Sequence, residues 1–506
     1  MRRRRVHIQR RAGKIGFLGK GLSVPSQEKS EVGHALSLRI DEDMILVSDA
    51  HRDRCREDVA TRPGILRRFF SKKPEVVVRP DSGQCVAEIL DVCIEEKTPA
   101  VPRGLGTSGL GGAMPVRGGV VIDLSRMCRV IDVDRARMTV TVEAGSTWSA
   151  LQEEVNKEGL SLRSYPSSAA HSTVGGWIST GGYGIGTLAE GSFHKQVQAM
   201  EVAVPSGLLV TAGHDEGRYS IRSFAGTEGQ LGVVTSLTLP LKAMPERRVC
   251  YLLHLGSEED GLSILEAIST MDDTPHVAKL VSKKQAQVLS DVWGLSGRGK
   301  PFIVAADEGP SERTSRFGTL IKKLAVRERL EAEGLDNAGN IWSTFFTHLG
   351  KYEDESLFLA GEVLIETGRL SRFLHLLGRW AAHERYLLYE CQLVDRGKVL
   401  VTVSYPGETR YDTQLVRDVP LTARIVSIVG EAGGIPYGVG MWSSHHSRLV
   451  FGEYHRTLKV IKSETDRLKI LNPGKFFGMT TNTGVPVSAW LYRIGLRLAG
   501  GNQVKE

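Results

Sequence analysis

Arg103-Gly104-Leu105-Gly106-Thr107-Ser108-Gly109-Leu110-Gly111-Gly112 is followed downstream by a second glycine-rich stretch, Ser172-Thr173-Val174-Gly175-Gly176-Trp177-Ile178-Ser179-Thr180-Gly181-Gly182-Tyr183-Gly184. Glycine lacks the Cβ that holds a backbone away from a ligand. Successive backbone N–H groups can then form a concave donor surface for an anion. One such loop is weak evidence. Two, each beside a predicted strand, point to a long ligand with a pyrophosphate in its middle.

The surrounding chain alternates strand and helix signals. A β-branched run at 75–79 is closed by Pro80, and Ser82 caps a helix expected to end near Lys97. A short strand at 100–102 runs straight into the first glycine loop. Further strands are expected at 44–47, 120–123, 138–143, 197–205 and 208–212, with a helix at 148–157 stopped by Gly159. A third glycine-punctuated turn, 224–232, leads into the apolar strand 233–239, which Pro240 is expected to end. Past Pro245, strands at 249–255, 302–306 and 357–365 alternate with helices at 261–271, 311–333, 370–385 and 421–432. An antiparallel pair, 386–393 with 398–405, gives this part an α+β texture. A last helix, 453–466, precedes Leu471-Asn472-Pro473-Gly474-Lys475.

The chain has 506 residues, 41% hydrophobic and 24% charged, the composition of an ordinary globular protein with two or three domains. Net charge is +7, yet eight basic residues and no acid fall within 1–20, so the rest is near neutral. The basic character belongs to an N-terminal arm and not to a face that would bind nucleic acid. The six cysteines contain no C-x-x-C pair, which argues against an iron–sulfur cluster or zinc ribbon in this chain and for a reducing, cytoplasmic setting. Cys85 and Cys93 are expected on a buried helix.

Four separated segments together resemble the FAD-linked oxidases of the vanillyl-alcohol oxidase and p-cresol methylhydroxylase flavoprotein superfamily. The likeness covers 74–242 and 472–475; the middle agrees only in the order of strands and helices. It implies an α+β fold: a two-subdomain PCMH-type FAD-binding domain at 41–242 and a substrate, or cap, domain at 243–440. A C-terminal segment, 441–480, returns to the FAD domain, with a basic arm at 1–40 and an amphipathic tail at 481–506. The resemblance assigns the pyrophosphate loop to Arg103, Gly104, Leu105, Gly106, Thr107, Ser108 and Gly109. A segment along the pyrophosphate and flavin falls on Pro166, Ser167, Ser168, Ser172, Thr173, Val174, Gly175, Gly176 and Ile178, with Gly181, Gly182 and Tyr183 turning past the ring. The adenine-side turn and strand fall on Glu228, Gly229, Gly232, Val233 and Val234, with Glu228 alternatively capping a neighbouring turn. Asn472 and Lys475 complete the set, Lys475 meeting a phosphate or the flavin edge. FAD is expected to be noncovalent, because Thr107 stands where covalent relatives carry a histidine.

The resemblance implies an FAD-dependent enzyme oxidising an alcohol or 2-hydroxy acid by hydride transfer to flavin N5. Hydroxy-acid dehydrogenases of this kind share a His-rich metal motif. Here that region reads Leu388-Tyr389-Glu390-Cys391-Gln392-Leu393-Val394-Asp395, and no metal site is expected. The remaining candidates are Tyr437, His445 or His446 as base for the hydroxyl proton and Arg448 as a bidentate clamp for a carboxylate. The histidines alternatively form a capping or surface pair, and Tyr437 a packing residue. Glu390 is a further candidate base, because an apolar strand would raise its pKa.

The stretch 172–180 is also similar to alkylglycerone phosphate synthases, redox-neutral flavoenzymes of ether-lipid synthesis, and the chain alternatively serves as an FAD-binding electron-transfer subunit. Electrons are expected to pass to oxygen, a quinone or an iron–sulfur partner. The helix expected at 489–498 and the basic arm together suit a peripheral membrane contact or a partner surface.

Overall fold

The computed structural model describes residues 30–58, 68–214, 219–287, 299–335, 357–381, 388–406 and 415–492. The basic arm through residue 29 and the tail from residue 493 lie outside them. Among the described residues, strands form three sheets.

The first sheet contains β1 (Ile45–Leu46), β2 (Val76–Val78), β3 (Ala100–Arg103) and β4 (Val120–Asp123) in the order β1-β2-β4-β3. Strands β2, β4 and β3 run parallel. Val76, Val77 and Val78 are all buried, as expected where both faces of a parallel sheet are covered. Helix Gly83–Glu95 crosses over from β2, and the hydroxyl of its N-cap Ser82 accepts from the Cys85 N–H. Cys85 and Cys93 are buried on that helix. Residues 30–40, read as part of a basic arm, are folded in part: helix Glu31–Ser37 buries Val32 and Leu36 in the same core.

The second sheet holds β5 (Val130–Asp134), β6 (Thr139–Glu143), β7 (Leu160–Leu162), β8 (Ala199–Val204), β9 (Leu208–Ala212) and β10 (Val233–Ala243). Strand β10 continues through Pro240, contrary to the expected stop. The Leu241 N–H donates towards the β6 side, to Met138. Alternation therefore turns the missing N–H of Pro240 to the opposite side, where the pairing with β8 has ended at Thr238.

The third sheet runs β14-β11-β13-β12-β16-β17-β15-β18, antiparallel throughout. Its strands are β11 (Arg247–His254), β12 (Val277–Val281), β13 (Phe302–Gly309), β14 (Glu331–Gly334), β15 (Leu357–Glu366), β16 (Leu388–Asp395), β17 (Lys398–Pro406) and β18 (Ile435–Pro436). Helices Glu258–Ser269, Ser311–Arg327, Thr367–Ala381 and Leu415–Ala432 alternate with these strands, and one face of the sheet packs with helical residues in a second core. The helix expected to run to 333 stops at Arg327. Arg329 takes a left-handed conformation, φ 57°, and the chain turns back into β14.

The C-terminal segment rejoins the first sheet. Ala100 donates to the Ile470 carbonyl and accepts from the Asn472 N–H, placing 470–472 along the free edge of β3. No helix of the described residues is long and apolar enough to cross a membrane.

Candidate active site

The parallel strand β3 delivers the first glycine loop. Gly106 and Gly109 adopt φ of 70° and 68°, a region that penalises side chains. The N–H groups of 105–109 meet no acceptor among the described residues. Backbone donors in a folded protein normally have partners. Five adjacent unspent ones, in a loop open to solvent at Leu105, are the donor set an anion requires. Arg103 lies against its own loop: a Cβ on Gly106 would meet its guanidinium, and its Nη1 donates to the Ala113 carbonyl at 3.5 Å.

The second glycine segment lies alongside. Thr107 Oγ1 donates to the His171 carbonyl at 2.7 Å. Thr173 Oγ1 accepts from Gly176 N at 3.1 Å, capping helix Val174–Thr180, and sits where a Cβ on Gly104 would fall. Gly175 N donates to the Ala144 carbonyl, and Ala144 fills the space its side chain would need. Val174 and Ile178 anchor the helix in the core. Pro166 is buried, Ser167 is half-buried, and Ser168 Oγ donates to Ser172 Oγ at 3.1 Å.

Behind the first loop lies a buried polar cluster. Glu228, at φ 52°, accepts at Oε1 from Val439 N (2.9 Å) and Gly440 N (2.7 Å). Burial pushes its carboxyl up to about 7 despite those two donors. Asn472 Nδ2 donates to the carbonyls of Gly112 (3.2 Å) and Glu228 (2.7 Å). Lys475, expected on a phosphate or the flavin edge, instead donates to the carbonyls of Gly112 (2.7 Å) and Met114 (2.5 Å). Lys475 is 2% exposed, and burial pushes its pKa down to about 7, opposed by Asp58 and Glu228. Asp58, which sequence reasoning missed, accepts from Gly111 N at 2.6 Å. Gly229 packs on Pro102 and Gly232 on Val202, while Val233 and Val234 open β10 against β8. These side chains brace the loop from behind.

The segment 181–184 forms the seam with the third sheet. Gly181, at φ 131°, lies against the Tyr437 ring, and Tyr183 N donates to Tyr437 Oη at 3.2 Å. Burial raises the Tyr437 pKa, so it is a neutral phenol near pH 7. Gly182 packs on Phe193. Gln392 Nε2 reaches the Gly184 carbonyl at 2.9 Å. Beside it, the register places Glu390 of β16 opposite Thr402 of β17, and Thr402 opposite Glu362 of β15. Thr402 Oγ1 donates to Glu362 Oε1 at 3.3 Å. Burial pushes the Glu362 carboxyl up to about 7.

Glu390 is not the isolated carboxylate the sequence suggested. Lys279 Nζ of β12 donates to its Oε2 at 2.8 Å, and Gln285 Nε2 approaches Oε1 at 3.5 Å. The register of β12 with β16 makes this pair, which sequence distance hides. Glu362, Thr402, Lys279 and Gln392 were missed as site residues. The reasoning that singled out Glu390, a carboxylate in an apolar strand, applies equally to Glu362.

His445, His446 and Arg448 are not part of that strand row but lie on the chain that follows β18. The histidines lie on the turn Ser444–His446, and the His445 ring is 5.3 Å from that of Tyr492. Met441 and Trp442 pack there with Met114, Val116 and Met479, and Tyr492 Oη donates to the Trp442 carbonyl. Arg448 is exposed on helix Ser447–Phe451. No cluster of metal-ligating side chains occurs among the described residues.

Residues 74–213 match the family model described as FAD binding domain, a span holding both glycine segments. Glycolate oxidase subunit GlcD of Bacillus subtilis is 24% identical over 81% of this chain and 90% of its own length. D-lactate dehydrogenase of Anaerostipes hadrus is 28% identical over 80% and 90%. The fold is shared with p-cresol methylhydroxylase, at TM-score 0.72 and 16% identity over 88% of this chain and 95% of that one. It is shared equally with an alkyldihydroxyacetonephosphate synthase, at TM-score 0.71 and 18% identity over 88% and 85%. The unspent donors of 105–109 fit the pyrophosphate of FAD, and residues 74–213 are an FAD-binding domain within the fold shared with p-cresol methylhydroxylase.

Proposed function

We propose that this chain is an FAD-dependent oxidoreductase that takes two electrons from a hydroxyl-bearing small molecule. The observation that carries this reading is the junction at 181–184. There the glycine segment of an FAD-binding domain meets a sheet face bearing carboxylates, a lysine, a threonine and a tyrosine. The similarity to a glycolate oxidase subunit and a D-lactate dehydrogenase over most of the chain supports the same class.

Bound FAD supplies a two-electron acceptor. The N–H groups of 105–109 and the hydroxyls of Ser167 and Ser168 hold its pyrophosphate, with Thr107 tying the two loops together. Glu228, Asn472 and Lys475 keep that loop in shape without touching the cofactor. FAD is held noncovalently, and electrons leave to an external acceptor, whether oxygen, a quinone or an iron–sulfur partner. Of the five proposed catalytic side chains, Tyr437 packs at the seam and Glu390 stands two residues along β16 from Gln392, which reaches Gly184, while His445, His446 and Arg448 follow on the chain beyond β18.

Anaerobic addition of hydroxy acids, polyols and lipid alcohols to the FAD-loaded protein tests the reading. At least one class is expected to bleach the flavin; an unchanged oxidised spectrum with all three would overturn it. Acid precipitation is expected to leave the yellow colour in the supernatant.

A further inference from the structure

We propose that the sheet face over 181–184 takes an uncharged polyhydroxy compound, and that Glu362 Oε2 accepts the proton of the hydroxyl being oxidised. This rests on the oxidoreductase reading and adds to it a substrate class and a base.

Strand alternation sets the face on which Glu362 stands. Val363 and Ile365 of β15 pack in the core under the helices, so Glu362 and Leu364 point to the opposite face. That face meets the FAD domain: Leu364 and Leu400 pack with Tyr437 and Tyr183, and Gln392 reaches Gly184. Glu362 therefore stands on the wall nearest the segment that turns past the flavin. Its Oε1 is engaged by Thr402, while Oε2 has no partner among the described residues, and the side chain keeps partial exposure. An accessible carboxylate oxygen in a poorly solvated chamber is the arrangement a general base requires.

The groups facing Glu362 are Thr402 and Glu390 on its own row, Lys279 beyond them, and Tyr437 from the adjoining loop. Burial outweighs the attraction of Lys279 and brings the carboxyl to about 7, so it is ready to take a proton at neutral pH. The backbone supports this placement: Tyr437 N donates to the Glu362 carbonyl at 2.9 Å.

Charge decides the substrate class. Lys279 is already paired with Glu390. The next lysine on this face, Lys398, lies four residues along β17 from Thr402, about 13 Å away. It stands opposite Asp395 and Glu366 in the ladder. A substrate carboxylate would meet two acids and no uncommitted described cation beside Glu362, a repulsive and desolvating fit. A polyol finds acceptors at Glu362 Oε2, Glu390 and the Thr402 hydroxyl oxygen, and a donor in the second N–H of the Gln392 amide. Oxidising a carbinol to a carbonyl breaks one C–H and one O–H bond. The hydride and its electron pair go to the FAD proposed above, and the proton goes to Glu362 Oε2.

Glu362→Gln keeps the shape and the Thr402 contact. FAD content is expected to be unchanged, while anaerobic flavin reduction by polyols slows by about 10²-fold or more. The wild-type rate should rise with pH through about 7. That limb should vanish in Glu362→Gln and persist in Glu362→Asp. Reduction by glycolate or D-lactate but not by polyols would overturn the substrate class. An unchanged rate or a surviving pH limb in Glu362→Gln would overturn the base. If no compound reduces the wild-type flavin, the oxidoreductase reading fails, and NMR of ¹³C-glutamate-labelled holoprotein decides on the carboxyl separately. A resonance titrating near 7 and absent from Glu362→Gln supports its assignment; titration in the ordinary carboxylate range overturns it.

Discussion

The cofactor side of this molecule is built mainly from backbone, and the substrate side mainly from side chains. At the glycine loops the functional atoms are N–H groups, and the side chains around them are absent, as at Gly104 and Gly175, or turned to bracing, as at Asp58, Glu228 and Lys475. On the sheet face the functional atoms sit at the tips of Lys279, Glu390, Thr402 and Glu362, drawn from four strands, with 111 residues between Lys279 and Glu390 alone. The first arrangement tolerates little change in backbone shape. The second keeps its fold under substitution and changes its chemistry.

Glu362→Gln should produce the largest effect: about 10²-fold or more in substrate-driven flavin reduction with FAD retained, read by anaerobic stopped flow. Loss of FAD from that variant would blur the division between the two sides. Glu228→Ala attacks the other side. It strips the N–H groups of Val439 and Gly440 of their buried acceptor, at about 1–3 kcal/mol each. Thermal denaturation should show a clear drop in Tm together with weakened FAD retention.

This division also explains what could be read from the sequence. Glycine loops are contiguous, so both were visible, as were the cap at Ser82 and most strand positions. The continuation of β10 past Pro240 depends on where β8 ends, and the arrest of the helix at Arg327 on a left-handed Arg329; neither is a local signal. The pairing of Lys279 with Glu390 spans 111 residues and arises only from strand register. Lys475 reads in sequence as meeting a phosphate or the flavin edge because its Asn-Pro-Gly-Lys motif resembles that of the flavoprotein family. Its ammonium is occupied by the carbonyls of Gly112 and Met114.

Smaller effects sharpen the contrast. Gly106→Ala forces a side chain into φ 70° and against Arg103, costing about 1–2 kcal/mol, or roughly tenfold in FAD affinity by fluorescence titration. Thr107→Val removes the bond to His171 that joins the loops, worth about 0.5–1.5 kcal/mol, and should weaken FAD only a few-fold. The junction between the two sides should respond to acid. Burial lowers the His276 pKa to about 3, and Glu308 beside it is lowered to about 2, against its own burial, by Lys242 and Arg248. The unfolded chain binds more protons there, so this stability is present near neutrality and is lost as pH falls from about 6.5. His276→Gln should flatten the acid limb of a Tm-against-pH curve.

The central claim is that a hydroxyl compound passes its electrons to FAD held by this chain. Anaerobic mixing of the FAD-loaded protein with polyols and hydroxy acids, with flavin absorbance and carbonyl product measured together, tests it most directly. The account predicts bleaching with one carbonyl formed per flavin reduced. Flavin that stays bound and oxidised in the presence of every compound would contradict it.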